Sequence, residues 1–415
     1  MKFLTLIFIL FIPLLGYAQT LKDLLQSAVK NNDIVQSKIY QQRAKNKELD
    51  AKKSSYYPTL DIGGIYKRDD AASPFNAGDT YNAYAKLSLE LYDGGRRYAQ
   101  IHEQKSSFTA SKFDKEAYKK SLALQIVDDF FTIKDLQASL NAKQEAKKTL
   151  QAQLERTKSF YDAKMATLDD VQRVQADFDT NVYDIQTIKF QILSLKSLLE
   201  LKVGKKITTL TKASFRKTFS TQYQTLDATR ASIAQKNALN FSANAVESHY
   251  YPNLTLQDKY NGYIFERLDP KLTQLDAKPL TQQNTLLLSL NIRLFDFGQL
   301  REEKEALQLN AQALQSQITY QNKEQKIQLK LAKAHIRTAK LKIKSARSAL
   351  DASQSAFITI EKKYNAGIVD YIVYLDALTK KTRAKALYAS SLNGLELAYA
   401  NYYYYSGKNL QEELE

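Results

Sequence analysis

Leu91-Tyr92-Asp93-Gly94-Gly95 recurs 203 positions later as Leu294-Phe295-Asp296-Phe297-Gly298. Each ends a run that alternates apolar and polar, and each opens a long stretch with almost no Gly or Pro. Tyr161-Asp162-Ala163-Lys164 lies 68 residues after Asp93, and Tyr364-Asn365-Ala366-Gly367 lies 68 residues after Asp296. A strand end, a long helix and a helix end that all match at one offset mean that the chain carries one unit twice.

Working outward from these stretches, the segment before each bend reads as a β-hairpin. The odd positions Tyr81, Ala83, Ala85, Leu87, Leu89 and Leu91 are apolar, while Asn82, Lys86, Ser88 and Glu90 between them are polar. Residues 59–67 form a weaker partner strand, with 71–80 as the connecting loop. In the second unit, Leu286, Leu288, Leu290, Ile292 and Leu294 share one face, a strand starts at Asn253, and a longer loop runs from about 269 to 279. Tyr56-Tyr57-Pro58 and Tyr250-Tyr251-Pro252 end the preceding helices, because a residue before proline is pushed out of the helical region. The first of these helices is expected over 21–57, with Leu21, Leu24, Leu25, Ala28 and Val29 on one face.

After each bend the period changes to that of a helix. Residues 94–160 read as one helix with a coiled-coil-like seam at Leu122, Ile126, Phe130, Ile133, Leu136 and Leu140. At 1.5 Å per residue it would be roughly 100 Å long. A turn at 163–166 follows, and Thr167-Leu168-Asp169-Asp170 restarts a helix with a capping-box pattern. The second unit repeats this with a helix from Gly298, a turn at Ala366-Gly367 and a helix from about 370 to 405. The expected organisation is a first repeat at 19–203, a basic linker at 204–225, a second repeat at 226–405 and a polar tail at 406–415.

Residues 1–18 read as a signal peptide. Lys2 is the charged start, 3–15 is mostly apolar, and Gly16 and Ala18 are the small residues of a cleavage site. No later segment has 18 consecutive apolar residues. The chain has no Cys, which excludes disulfides, thiol catalysis and a lipid anchor on Cys. With 12 Gly, 6 Pro and many Ala, Lys, Gln, Leu and Ser, the 415 residues have the composition of long helices. The net charge of +16 comes from Lys and Arg that read as dispersed over solvated helix faces among Glu and Gln. An exported chain of this pattern is not expected to bind nucleic acid; a general affinity for anionic envelope surfaces is the blander consequence.

A four-stranded sheet with one apolar face and no helix to cover it is aggregation-prone in water. In a bilayer the same alternation suits a barrel strand, apolar to lipid and polar to the lumen. Four strands cannot close a barrel, and open edges are not tolerated in hydrocarbon, so copies must pool strands. Two copies give eight and three give twelve; the strand count does not choose. The half-length helices 21–57 and 168–202 total 72 residues, close to one long helix, so each chain offers four helical columns. Twelve columns at ~10 Å spacing make a ring ~38 Å across its axes, a tube.

The order helix, Tyr-Pro, hairpin ending in Tyr/Phe-Asp-x-Gly, long helix, Tyr-x-x-Gly-type turn and short helix, present twice, resembles the TolC family of outer-membrane efflux proteins. The resemblance covers the mature chain and rests on duplication and spacing. It implies an α+β membrane protein: a homotrimer with a twelve-stranded transmembrane β-barrel, four strands per chain, and a long α-helical coiled-coil barrel. It also implies the outer membrane of a Gram-negative bacterium, a periplasmic extension, and docking to an inner-membrane pump or secretion ATPase through a periplasmic adaptor. The function implied is passive export, as in tripartite efflux or type I secretion, gated at the periplasmic helix tips. A rival reading is a periplasmic coiled-coil adaptor or scaffold that never enters a membrane.

By position, the resemblance carries gate roles to Asp170, Asp376 and Tyr364, with Tyr161 as the first-unit counterpart. The tips Lys164, Met165, Gly367 and Ile368 become adaptor contacts. Val373 and Val369 stand where the family's better-known gate protein has an aspartate and an arginine, and Lys164 replaces the first turn's glycine. An Arg-based lock is therefore not expected, and the resemblance leaves room for a Tyr364–Asp170 bond. Independently of the family, symmetry copies of a carboxylate at a constriction focus negative potential and favour cations. Asp170 equally caps its helix through the dipole, and Gly367 reads first as a helix C-cap, a role compatible with adaptor contact. Asp93, Gly94, Gly95, Asp296 and Gly298 read as strand-to-helix bends. Tyr66, Tyr81, Tyr84, Tyr92 and Tyr260 suit interfacial aromatic belts. His102, His249 and His335 lie far apart, and no phosphate loop or nucleophile elbow is present, so neither an enzyme nor a cofactor is expected.

Overall fold

The structure is a computed structural model that describes residues 19–73, 76–219, 222–269, 271 and 279–415. The targeting segment expected at 1–18 lies outside these residues, as do Pro74 and most of the loop expected from 269 to 279.

The helix expected over 21–57 is two: α1 (Leu21–Asn31) and α2 (Asp33–Ser54). Asn32 makes the break. Its backbone is extended, and its Oδ1 accepts from the amides of Ile34 and Val35, both at 3.0 Å. Its Nδ2 donates to the Lys202 carbonyl at 2.9 Å. The asparagine therefore caps α2 while tying it to the end of another helix, a use of its short amide that helix periodicity does not reveal. After Ser54 the amides of residues 55–57 turn back onto the carbonyls of 52–54, and Pro58 prevents further helix.

Four strands, β1 (Thr59–Arg68), β2 (Asp79–Tyr92), β3 (Asn253–Glu266) and β4 (Gln282–Asn291), form one antiparallel sheet in the order β1-β2-β3-β4. The β2–β3 pair joins the two expected hairpins. The register sets Leu60 opposite Leu87, Ile62 opposite Ala85, Leu89 opposite Leu256, and Leu256 opposite Leu288. Side chains at paired positions share a face, so one face carries these residues together with Tyr66, Tyr81 and Tyr260. The other carries Asp61, Asn82, Lys86, Lys259 and Asn261, with an Asp61–Lys86 ion pair at 3.4 Å and Lys259 over the Tyr84 ring at 4.5 Å. β4 stops at Asn291, so Ile292 and Leu294 lie beyond the strand in which they were expected.

Helices α3 (Arg96–Asp162) and α6 (Gln299–Asn365) have 67 residues each and start 203 positions apart. They are followed by α4 (Leu168–Val203) and α7 (Tyr371–Tyr405), and α5 (Asp227–Glu247) precedes β3. No helix among the described residues is long and apolar enough to cross a membrane.

The described chain falls into two units that cut across the sequence repeats. One comprises the described residues within 19–39, 115–227 and 322–415, the other those within 40–114 and 228–321. The first is helical and holds the main core. Leu21, Leu24 and Val35 meet Ile126, Phe130 and Ile133 of the seam, Leu199 and Val203 of α4, and Tyr399, Tyr402 and Tyr403 of α7. Leu136 and Leu140, expected to continue the seam, are only half-buried. The linker and tail enter this core through Phe215 and Leu410, each at most 1% exposed, and Phe215 pairs with Leu414. The second unit holds the sheet with its bends, the ends of α2, α3 and α6, and α5.

Candidate functional site

Within the helical unit, two helix turns have one geometry. In the first, the Lys164 amide donates to the Tyr161 carbonyl at 2.9 Å and the Met165 amide to the Phe160 carbonyl at 2.7 Å. In the second, Gly367 donates to Tyr364 at 3.0 Å and Ile368 to Lys363 at 2.9 Å. This is a Schellman motif twice, which needs a left-handed residue at its centre. Gly367 has φ 73°, and Lys164 takes φ 59° without being glycine. Met165 and Ile368 stand out from the turns, 75% and 69% exposed.

The helices restart differently. Thr167 accepts from the Asp170 amide at 3.2 Å, while the Thr167 hydroxyl and amide donate to the Asp170 carboxylate at 2.7 and 3.0 Å. The capping box expected there is complete. The Thr167 amide and hydroxyl together hold the Asp170 carboxyl below the usual carboxylate range. In α7 the cap is Asp370, which accepts from Val373 at 3.0 Å. Valine in the third position cannot return a bond.

Behind the turns an aromatic cluster fills the end of the four-helix packing. Leu150, Phe357, Tyr374, Ala377 and Leu378 are buried, with Phe178, Tyr364 and Tyr371 packed against them. The rings of Tyr364 and Tyr374 stack at 4.8 Å. Three bonds link the α3/α4 hairpin to the α6/α7 hairpin. Tyr371 donates to the Asp177 carboxylate at 3.1 Å, Gln153 donates to the Tyr364 hydroxyl, and Arg156 grips Asn365. Arg156 also lies over the Phe160 and Tyr364 rings at 5.2 and 5.4 Å. Burial pushes all three phenols up, Tyr374 to about 12, and the Asp177 carboxylate adds to the effect at Tyr371.

The expected gate residues are therefore not joined as supposed. Within one chain Tyr364 is engaged by Gln153, and Asp170 is spent on its own cap. Asp376 is exposed and paired with Lys380 at 2.7 Å. Tyr161 is exposed at the end of α3 and offers the turn only its carbonyl. Sequence reasoning missed Gln153, Arg156, Asp177, Tyr371 and Tyr374. The tyrosines at 371 and 374, three apart on α7, carried a helical-face signal; Tyr364, on α6 across the turn, and the partners on α3 and α4 carried none.

In the second unit, each bend is built on its aspartate. Asp93 accepts from Gly95 N at 3.2 Å and from Arg97 N and Nε at 2.8 and 2.9 Å. Arg97, 5% exposed, also reaches Glu90 at 3.6 Å and the Ser55 carbonyl at 3.3 Å. Asp296 accepts from Gly298 and Leu300, both at 3.0 Å, and from Tyr250 at 3.1 Å. Gly94 and Gly95 have φ 67° and 85°; at the matching positions Phe297 and Gly298 have φ 54° and 91°. The sheet beyond these bends leaves Leu60, Ile62, Leu286, Leu288 and Leu290 exposed, each by 60% or more. No group of acidic, His or Cys side chains among the described residues could hold a metal ion.

Residues 24–193 match the outer membrane efflux protein family. Outer membrane protein TolC of Vibrio cholerae serotype O1 is 24% identical over 263 residues, 59% of this chain and 58% of that protein. The chain thus matches little more than half the length of that relative. The fold is similar to that of the Campylobacter jejuni CmeC outer membrane channel, with TM-score 0.82 and 15% identity over 94% of this chain and 86% of that one. It is also similar to VceC of Vibrio cholerae, with TM-score 0.80 and 13% identity over 94% and 96%. The open state of the Neisseria gonorrhoeae MtrE channel matches with TM-score 0.76 and 17% identity over 94% and 89%.

Proposed function

We propose, from the premise that this chain belongs to the TolC-like outer membrane efflux proteins, that it is the export conduit of a tripartite efflux or type I secretion system. The observation that carries this is the sheet. It has one mainly apolar face, interrupted by Asp258 opposite Leu87 and Leu286, a more polar face, and two edge strands, β1 and β4, each open on its outer side among the described residues. In hydrocarbon, such edges must be paired. Three chains joined β4 to β1 would supply twelve strands, apolar to lipid and polar to a lumen. A periplasmic scaffold would leave the same apolar face to water.

The conduit is passive: cargo and energy come from an inner-membrane pump or secretion ATPase, reached through a periplasmic adaptor. The exposed tips Met165 and Ile368, beside Lys164 and Gly367, suit that docking. The gate lies at the same end. Asp170 and Asp376, repeated by symmetry, would set a negative constriction. The Tyr371–Asp177, Gln153–Tyr364 and Arg156–Asn365 contacts would hold the two hairpins of each chain together until an adaptor separates them.

Single-channel recording of detergent-extracted protein in planar bilayers tests this, beside Asp170→Ala with Asp376→Ala. Small cation-selective steps that change in the variant are expected. Steps indifferent to both substitutions would keep the conduit and remove these aspartates from its gate. Folded protein that never inserts would overturn the reading.

A further inference from the structure

The cations of α6 are not dispersed as the sequence reading expected. Lys323, Lys326, Lys330, Lys333, Arg337, Lys340, Lys344 and Arg347 follow one another at spacings of three and four. On a helix this spacing is a single stripe. The stripe spans 25 residues, roughly 36 Å. Its position is fixed by packing: Gln325, Ala332, Ile336, Ala339 and Ala346 are buried, and each is followed directly by a stripe cation. The cations therefore run alongside the packed seam.

They are also largely unanswered. Arg347 pairs with Asp351 at 3.2 Å, and Lys333 lies over the Tyr402 ring at 5.9 Å. Lys323, Lys326, Lys330, Arg337, Lys340 and Lys344 have no carboxylate partner among the described residues. A groove of about 480 Å³ lies on this face, lined by Lys326, Lys330, Lys333 and Arg337 with Leu329 and Tyr223. Like charges three and four apart destabilise a helix, so a row of eight cations, most of them without a carboxylate partner among the described residues, works against the fold that carries it.

We infer that this stripe is a docking surface for a partner helix with an acidic face, laid along α6. The period decides among polyanions. A helix supercoiled along α6 repeats its carboxylates every 3.5 residues and stays in register with the cations over the whole span. The apolar floor at Leu329 and Tyr223 suits such a helix better than a fully hydrated polymer. Cations flanking a packed seam are also the positions that set partner choice and orientation in coiled coils. Among the described residues the chain's own helices offer no acidic stripe of this length: Asp170, Asp177 and Asp184 of α4 share a seven-residue spacing, but Thr167, Tyr371 and Lys143 already engage them. The partner is thus another protein. The inference does not rest on the conduit reading.

The test uses full-length, detergent-extracted protein and a labelled synthetic helix of about four heptads carrying two Glu per heptad at three–four spacing. A scrambled peptide of the same composition is the control. Fluorescence anisotropy should show the matched peptide binding about tenfold tighter than the scrambled one, more weakly as salt rises. Replacing Lys326, Lys330, Arg337 and Lys340 with Gln should abolish that preference, while Lys22, Lys47, Lys105 and Lys189 to Gln should leave it. Single-channel conductance of the stripe variant should stay unchanged, which separates this inference from the conduit. Equal binding of both peptides would mean generic polyanion attraction and overturn it. No binding, with the stripe lysines protected from acetylation in the assembled protein, would overturn it in favour of a second copy covering the face.

Discussion

The Tyr371 hydroxyl donates to the Asp177 carboxylate at 3.1 Å, joining α7 to α4 at the end of the chain where the turns lie. It is a bond between the two hairpins, made by a phenol that is half-buried among other tyrosines. Tyr371→Phe keeps the ring packing and deletes only the bond, so it should cost about 1 kcal/mol of stability. Asp177→Asn should cost a similar amount, and the double variant no more than either alone, because both remove one interaction. Thermal unfolding of the four proteins gives the cycle. If the bond restrains opening, both single variants also lengthen open dwell times in planar bilayers; unchanged dwell times would leave the bond structural.

The pH response of the tip follows from which way its groups are displaced. Burial raises Tyr364, Tyr371 and Tyr374. A raised phenol stabilises the fold fully below its unfolded value of about 10, and that contribution is lost as pH climbs through the folded value. Asp170 is lowered by its bonds to Thr167. Its contribution is present above the unfolded value of about 4 and is lost as pH falls through the lower folded one. Stability and conductance should therefore be flat from about pH 5 to 9, softening at the acid end in wild type but less in Asp170→Asn. A conductance midpoint near neutrality would come from other groups and would count against a gate built on these.

The two bends look alike in sequence and differ in what their removal exposes. Asp93→Ala leaves the buried Arg97 guanidinium with Glu90 at 3.6 Å, one carbonyl and the Tyr56 ring at 4.5 Å, a loss of about 3 kcal/mol. Asp296→Ala removes a half-exposed cap, about 1 kcal/mol. The same contrast holds one residue on. A Cβ on Gly94 would stand 2.5 Å from the Tyr251 Cβ and 2.6 Å from the Ser248 carbonyl, whereas one on Gly95 meets nothing within 4 Å. Unfolding midpoints should fall further for Gly94→Ala than for Gly95→Ala; equal shifts would show that backbone strain alone decides.

That contrast marks where sequence reading stopped. Period and punctuation located the strands, both long helices and both turns, because alternation, Gly and Pro act within a few residues. Asn32 escaped because its reason for breaking a helix, the Lys202 carbonyl, lies 170 positions away. The Tyr371–Asp177 bond escaped likewise, and Asp170 was readable as gate or cap; its bonds to Thr167 show the cap. The α6 stripe was legible in its three–four spacing; what the sequence could not supply was the buried seam that gives the stripe a side.

Lys164 and Gly367 occupy the same left-handed position of the same motif, with φ 59° and 73°. An L-residue there pays for its Cβ with roughly 1 kcal/mol of strain, and glycine does not. Lys164→Gly should therefore stabilise the first turn by a few tenths to about 1 kcal/mol, the gain being reduced by glycine's greater freedom when unfolded. Gly367→Lys should destabilise the second by about 1 kcal/mol, and no neighbour lies within 4 Å to add a clash. Hydrogen exchange at the Met165 and Ile368 amides, which close the two motifs, reads each turn separately. Faster exchange at Met165 in Lys164→Gly would show that the lysine is held there by something other than backbone geometry, and would point to it as the contact with a docking partner.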